Sequence, residues 1–147
     1  MTNSRETHMT LSTHDTAAFA LRVSSGALFL AHGLTKLLVF TPAGTAAFFE
    51  SLGLPGVLGY LTMLAEIGGG LALILGVGVR LISIPLVAVL LGATWAHGGN
   101  GWSFSNAGGG WEYPLFWAVA QAAIGLLGAG AFALRLPALE RRLGAFA

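Results

Sequence analysis

The sequence predicts an all-α polytopic membrane protein: an antiparallel bundle of four transmembrane helices with both termini in the cytoplasm. Three observations predict it. Only 9% of the 147 residues are charged and 55% are apolar, whereas an ordinary soluble domain carries about a quarter charged residues. Mean hydropathy is +0.77. Four apolar runs, at residues 17–40, 57–79, 80–97 and 114–134, come near the ~20 residues a helix needs to cross a bilayer at about 1.5 Å per residue. The basic residues then fix the orientation. Arg5 and Arg22, Arg80, and Arg135, Arg141 and Arg142 all fall on one side of such a bundle, and residues 41–56 and 98–113 carry no Lys or Arg. The positive-inside rule places both termini in the cytoplasm and the two longer loops outside.

Residues 1–16 are polar, without apolar periodicity, and read as a disordered cytoplasmic leader. The first span contains Arg22, His32 and Lys36. It is too long for a cleaved signal peptide, and Lys36 stands where the cleavage region would lie. In the loop that follows, residues 45–52 read as a short amphipathic helix at the outer interface, and Leu54-Pro55-Gly56 turns the chain into the second span. Glu66 is the single charge of that span. The third run is short at residues 81–96, with Pro85 in its first turn, and recruits Arg80 and His97 as its ends. The glycine-rich loop beyond it is framed by Trp95, Trp102, Trp111, Tyr113 and Trp117, an aromatic belt at the outer boundary. The fourth span contains Gln121, and residues 137–147 form a basic cytoplasmic tail. Small residues recur every fourth position at Gly68, Ala72 and Gly76, and at Gly125, Ala129 and Ala133. Such ladders let helix backbones approach closely. The chain has no cysteine, which excludes disulfide exchange and thiolate-held iron–sulfur clusters within it.

Glu66 carries the functional question. A carboxylate at mid-span costs roughly 2.5–3.5 kcal/mol to insert, so it is paired or has work to do. Arg22, Ser25, Phe29, His32 and Lys36 follow one another at helical spacing and share one face of the first span. That face turns to the bundle interior, because charged groups in a span avoid lipid. Counted inward from the outer end of each span, Lys36 lies about 6 Å deep, Gln121 about 10 Å, His32 about 12 Å and Glu66 about 13–14 Å. Side chains lean towards the N-terminus of their helix, which brings Lys36 inward and Glu66 outward to meet. The expected site is therefore Glu66 with Lys36 and His32 as proton-handling groups. Gln121, His97, Asn100, Glu112, Tyr113 and Trp117 would line its mouth. Plainer roles stand beside these. Glu66–Lys36 can be an ion pair that fixes helix register, and Lys36 can snorkel outward. Glu112 can serve a helix dipole, His97 can be an interfacial residue, and Arg22 can anchor the cytoplasmic face. Hydrogen-bond donors at this depth can orient the carbonyls of a lipid-soluble quinone between apolar walls. A haem held by His32 and His97 is disfavoured by an offset in depth of about 12 Å. No tight His/Asp/Glu cluster suggests a metal, no covalent cofactor is expected, and nothing points to nucleic acid.

At these residues the chain resembles the DoxX family of small four-span bacterial membrane proteins. The resemblance covers about residues 21–136. It rests on Arg22 with Gly26; His32-Gly33 and Lys36; Phe48-Phe49 before Gly53-Leu54-Pro55; Glu66 with Gly69-Gly70, Leu73 and Gly76; Arg80; His97; Asn100-Gly101; Gly109-Gly110; and Glu112-Tyr113-Pro114. The chain departs from the pattern at Arg135-Leu136, where relatives often carry a Leu-Asp pair. The resemblance implies a bacterial cytoplasmic (inner) membrane location and a subunit of a quinone-linked oxidoreductase system, in thiosulfate oxidation, thiol stress or quinone detoxification. Implied partners are soluble redox enzymes such as superoxide dismutase or a sulfurtransferase, a second membrane subunit, or further copies of the chain. A membrane scaffold that recruits soluble redox enzymes is the alternative from another class, motivated by the Arg141-Arg142 tail. A proton or small-solute pathway is the third, motivated by the intramembrane charges.

Overall fold

The computed structural model describes residues 12–144, and among them it is helical without strands. Its elements are α1 (Thr13–Leu38), α2 (Pro42–Ser51), α3 (Val57–Leu75), α4 (Val79–Ala96), a 3₁₀ turn at Gly98–Asn100, α5 (Glu112–Leu127) and α6 (Pro137–Leu143). Three of these, α1, α3 and α4, are long and apolar enough to cross a membrane. Large apolar side chains face outward on every side, among them Leu64, Phe116 and Leu126, a surface suited to lipid.

α1 begins at Thr13, four residues before the expected start of the first span. Ser12 explains this, because its hydroxyl accepts the Asp15 N–H at 3.0 Å and caps the helix. The rest of the expected leader, residues 1–11, lies outside the described residues. α2 opens with Pro42 behind the Thr41 cap, whose hydroxyl accepts from the Gly44 amide. It lies across α3 and the end of α1.

The four longer helices pack in a closed order: α1 on α3, α3 on α4, α4 on α5, and α5 back on α1. α1 and α3 are antiparallel. Arg22 meets Ile74, Gly26 meets Gly70, Gly33 meets Ile67 and Lys36 meets Glu66, so one number falls as the other rises. Glycine makes this contact. A Cβ on Gly26 would stand 2.7 Å from the Gly70 carbonyl oxygen, and one on Gly33 would stand 2.6 Å from Ile67. On the other side, Gly69 receives Leu86 of α4, and Gly125 of α5 receives Ser83. The core between them is Phe29, Leu73, Leu86, Leu90, Trp117 and Ile124.

The structure corrects the small-residue ladders. Gly68 faces open space, with nothing within 4 Å of an added Cβ. The close approach uses Gly69 and Gly70, because the buried face of α3 runs through Glu66, Gly69, Gly70 and Leu73. The ladder on the fourth span also breaks, since α5 stops at Leu127 and Ala129 and Ala133 lie beyond it. The segment expected as a fourth span, 114–134, is thus helical over a shorter stretch. Its helix has 16 residues, about 24 Å.

Gly128 and Gly130, both left-handed, turn the chain after α5 back under the bundle. There Ala131 N–H donates to Asp15 O at 3.0 Å, and Leu134 N–H donates to Leu75 O at 2.9 Å. The purpose of this turn is visible at Arg22. Its side chain is fully buried, and it donates to Ala129 O (2.6 Å), Leu73 O (2.7 Å), Ile74 O (2.6 Å) and Ala131 O (2.9 Å). Arg22 therefore does not anchor a membrane face. Its planar fork of donors caps the last carbonyls of α3 and binds them to the segment after α5.

Candidate functional site

Lys36 Nζ donates to Glu66 Oε1 at 2.8 Å. The pair exists because Gly33, one turn before Lys36, lets α1 settle against Ile67 and the Cβ of Glu66. Thr45 of α2 steadies the end of α1 through a 3.3 Å hydrogen bond to the Lys36 carbonyl. The two side chains are unequal. Glu66 exposes 6% of its side chain and Lys36 22%, so Lys36 is the one reached from outside. The second carboxyl oxygen of Glu66 is buried without a hydrogen-bond partner among the described residues. Such a group is costly to leave unmatched, and its position marks where a hydrogen-bonding ligand would gain most.

Two cavities meet at this pair. The smaller, about 300 Å³, is lined by His32, Lys36, Glu66, His97, Tyr113 and Trp117, with Phe104 beside them. The larger, about 470 Å³, runs between α3 and α4 beneath α2. It shares Lys36, Glu66 and His97 with the first. Both volumes fall in the range of small-molecule sites, about 300–1,000 Å³.

The two histidines are held alike. His32 Nδ1 lies 2.8 Å from the Leu28 carbonyl, and His97 Nδ1 lies 3.0 Å from the Gly108 carbonyl. A carbonyl only accepts, so these contacts favour the tautomer with the proton on Nδ1, and in a neutral ring that leaves Nε2 to accept from a ligand. His32 is exposed on α1 and lies against Trp117, ring centres 5.3 Å apart. His97 closes the end of α4. The depth estimate separates these residues by about 12 Å, yet they line one pocket. Counting from span ends cannot register the loop that folds over the bundle.

The expected mouth residues divide. Tyr113 and Trp117 line the smaller cavity. Gln121 does not. It is fully buried beneath Trp117, accepts from Ser25 Oγ at 2.7 Å and donates to Ser83 Oγ at 2.9 Å. Trp117 Nε1 donates to the same Ser25 hydroxyl at 2.8 Å. Ser83 in turn donates to Val79 O at 2.7 Å. This chain of hydrogen bonds ties α1, α4 and α5 and consumes the groups that a ligand would need. Asn100 and Glu112 hold the loop instead. Asn100 Nδ2 donates to Gly108 O at 3.0 Å, and Glu112 Oε1 accepts the Phe104 N–H at 3.1 Å. Trp102 packs edge-on against Trp111 at 4.7 Å between centres.

Some residues of the site and of the hydrogen-bonded core beneath it escape a reading of the sequence. Phe104 sits in a loop where an aromatic residue is expected at any outer boundary. Ser83 is a polar group in an apolar span, which is the one signal that could have found it. The stripe Ala88, Gly92 and Ala96 on α4, small at every fourth residue, lines the larger cavity. It opens space where the more conspicuous ladders of the neighbouring helices do not.

The family model described as DoxX matches residues 17–99. A Bacillus subtilis (strain 168) protein named "Putative oxidoreductase CatD" is 36% identical over 73 residues, 50% of this chain and 53% of that protein. The chain thus spans about half the length of that curated relative. No solved structure matches.

Proposed function

This chain belongs to the DoxX family and is a membrane protein, and from that premise we propose that it is the integral membrane subunit of a quinone-linked oxidoreductase system. The observation that carries the reading is the Lys36–Glu66 pair, 2.8 Å apart, at the meeting of two ligand-sized cavities. The oxidoreductase name of the Bacillus subtilis relative supports it. In this reading α5 crosses the bilayer as a fourth, short span, and both termini lie in the cytoplasm of a bacterial inner membrane. The absence of basic residues from 41–56 and 98–113 supports that orientation.

The chain's own share is binding and proton supply. Lys36 has donors left over from its bond to Glu66 and points one to a quinone carbonyl. The unpartnered Glu66 oxygen receives the hydroxyl of the reduced form. His32 and His97 offer Nε2 as acceptors on the outer side, where protons reach the pocket. Electrons come from a partner enzyme that carries its own redox cofactor, such as a sulfur-compound dehydrogenase or a thiol-stress enzyme. The test is binding of a short-chain quinone to the purified protein in nanodiscs, with and without Glu66→Gln. Saturable binding weakened by that substitution is the expected result. Absence of saturable binding in the unsubstituted protein sinks the proposal.

A further inference from the structure

The two cavities differ in kind. The smaller is roofed by the loop after α4, with Phe104, Gly109 and Gly110 over His32, His97 and Tyr113. The larger has Lys36, Glu66 and His97 at one end. Thr62 apart, the rest of its lining is apolar or aromatic, including Phe48, Leu58, Leu61, Val89 and Trp95. Leu61, Trp95 and Phe48 are more than half exposed at its rim. The cleft is therefore amphipathic along its length, with an apolar mouth between α3 and α4 and a charged inner end.

Three observations show that this is more than loose packing. The charged end is shared with the outer pocket, so the two spaces meet at one set of residues. Glu66, only 5% exposed, keeps an unpartnered oxygen there. The wall of α4 is thinned along its length by Ala88, Gly92 and Ala96, and a Cβ built on Gly92 meets nothing within 4 Å. Ala88 and Gly92 are exposed, so this thinned wall opens on the outer surface of the bundle.

We propose that the protein has two separate entrances to the Lys36–Glu66 pair: a lateral cleft between α3 and α4, beneath α2, which admits a quinone with a long apolar tail directly from the lipid, and the outer pocket, which serves the polar side. This rests on the quinone reading above and adds the route and the tail. The ring reaches Lys36 and Glu66 while the tail stays between Leu58, Leu61, Ala88 and Gly92. The apolar lining gives the tail no reason to leave the membrane environment. The charged end fixes which way round the ligand enters.

Filling the cleft tests this. Gly92→Phe puts a ring into open space without displacing backbone, and Ala88→Leu is a second, milder plug. Gly68→Phe is the control, because Gly68 also faces open space and does not line the cleft. Two probes are used in nanodiscs: a benzoquinone with a ten-carbon tail and the same ring without a tail. Gly92→Phe and Ala88→Leu should each weaken the tailed probe by about tenfold or more, since a steric block at a fitted wall is a strong discriminator. They should leave the tail-less probe and the thermal midpoint within error, and Gly68→Phe should change neither. If the tail-less probe binds and the tailed one is indifferent to both plugs, the lateral entrance is wrong while the quinone reading stands. Release of bound phospholipid by the plugs, with tailed-quinone binding unchanged, assigns the cleft to lipid and also overturns it. Equal loss of both probes in both folded variants refutes two separate entrances. If neither probe binds the unsubstituted protein, the quinone reading itself fails.

Discussion

Gly26 and Gly70 touch backbone to backbone: a Cβ on either would stand 2.7 Å from the other's carbonyl oxygen. That contact sets the separation of α1 and α3, and with it the reach of Lys36, about three turns on along α1, to Glu66, about one turn back along α3. Gly70→Ala should therefore destabilise the protein by about 1–3 kcal/mol through overpacking. Gly68→Ala, in open space on the same helix, should be neutral or slightly stabilising. Thermal unfolding in detergent compares them. Equal midpoints for the two variants would contradict the assigned packing face.

The Lys36–Glu66 pair should show strong coupling. Removing Lys36 leaves the buried Glu66 carboxyl without its partner, and breaking such a pair costs up to about 3–5 kcal/mol. Lys36→Met and Glu66→Gln together should cost less than the sum of the two, with a coupling energy of about 0.5–3 kcal/mol. The double variant should fold and still fail to bind a quinone. A double-mutant cycle on unfolding, run beside a binding assay, separates the structural role of the pair from the ligand role.

Arg22 should resist conservative replacement. Its guanidinium serves four carbonyls on two segments, and an ammonium offers three donors without the planar fork. Arg22→Lys should lower stability by about 1–3 kcal/mol, the cost of buried acceptors left unmatched. It should also open the segment after Gly128 to protease. Mass spectrometry of limited digests reads the site of cleavage, and an unchanged digest would show that Arg22 does not hold that segment.

Gln121→Leu should weaken the fold without changing the site. The substitution strips Ser25 and Ser83 of a shared partner, worth about 1–3 kcal/mol. Because Gln121 lies beneath Trp117 and away from the cavity lining, quinone affinity measured below the lowered thermal midpoint should hold. A selective loss of affinity would return Gln121 to the ligand-contacting set.

The contact between Lys36 and Glu66 was legible because it needs only helical spacing, antiparallel spans and the lean of side chains along a helix. The surroundings of Arg22 were not. Its acceptors at Ala129 and Ala131 lie in a stretch whose apolar composition reads as helix, and the left-handed turns at Gly128 and Gly130 are indistinguishable in sequence from packing glycines. Gln121 was misplaced for a related reason. Depth along a span says nothing of which face a residue takes, and Gln121 faces Ser25 and Ser83 rather than the cavity. The site was thus readable where two regular helices meet, and unreadable where an irregular segment or a loop completes it.

The burial of Arg22 has a temporal consequence. Two of its acceptors are 107 and 109 residues further along the chain, so a ribosome makes them long after it has made Arg22. Until then the emerging first helix holds a cation in the bilayer with half its partners missing. Arrival of the segment after α5 supplies them and locks that segment to α1. Assembly is thereby coupled to synthesis of the stretch through residue 131: a chain that stops short of it leaves the arginine short of carbonyl acceptors.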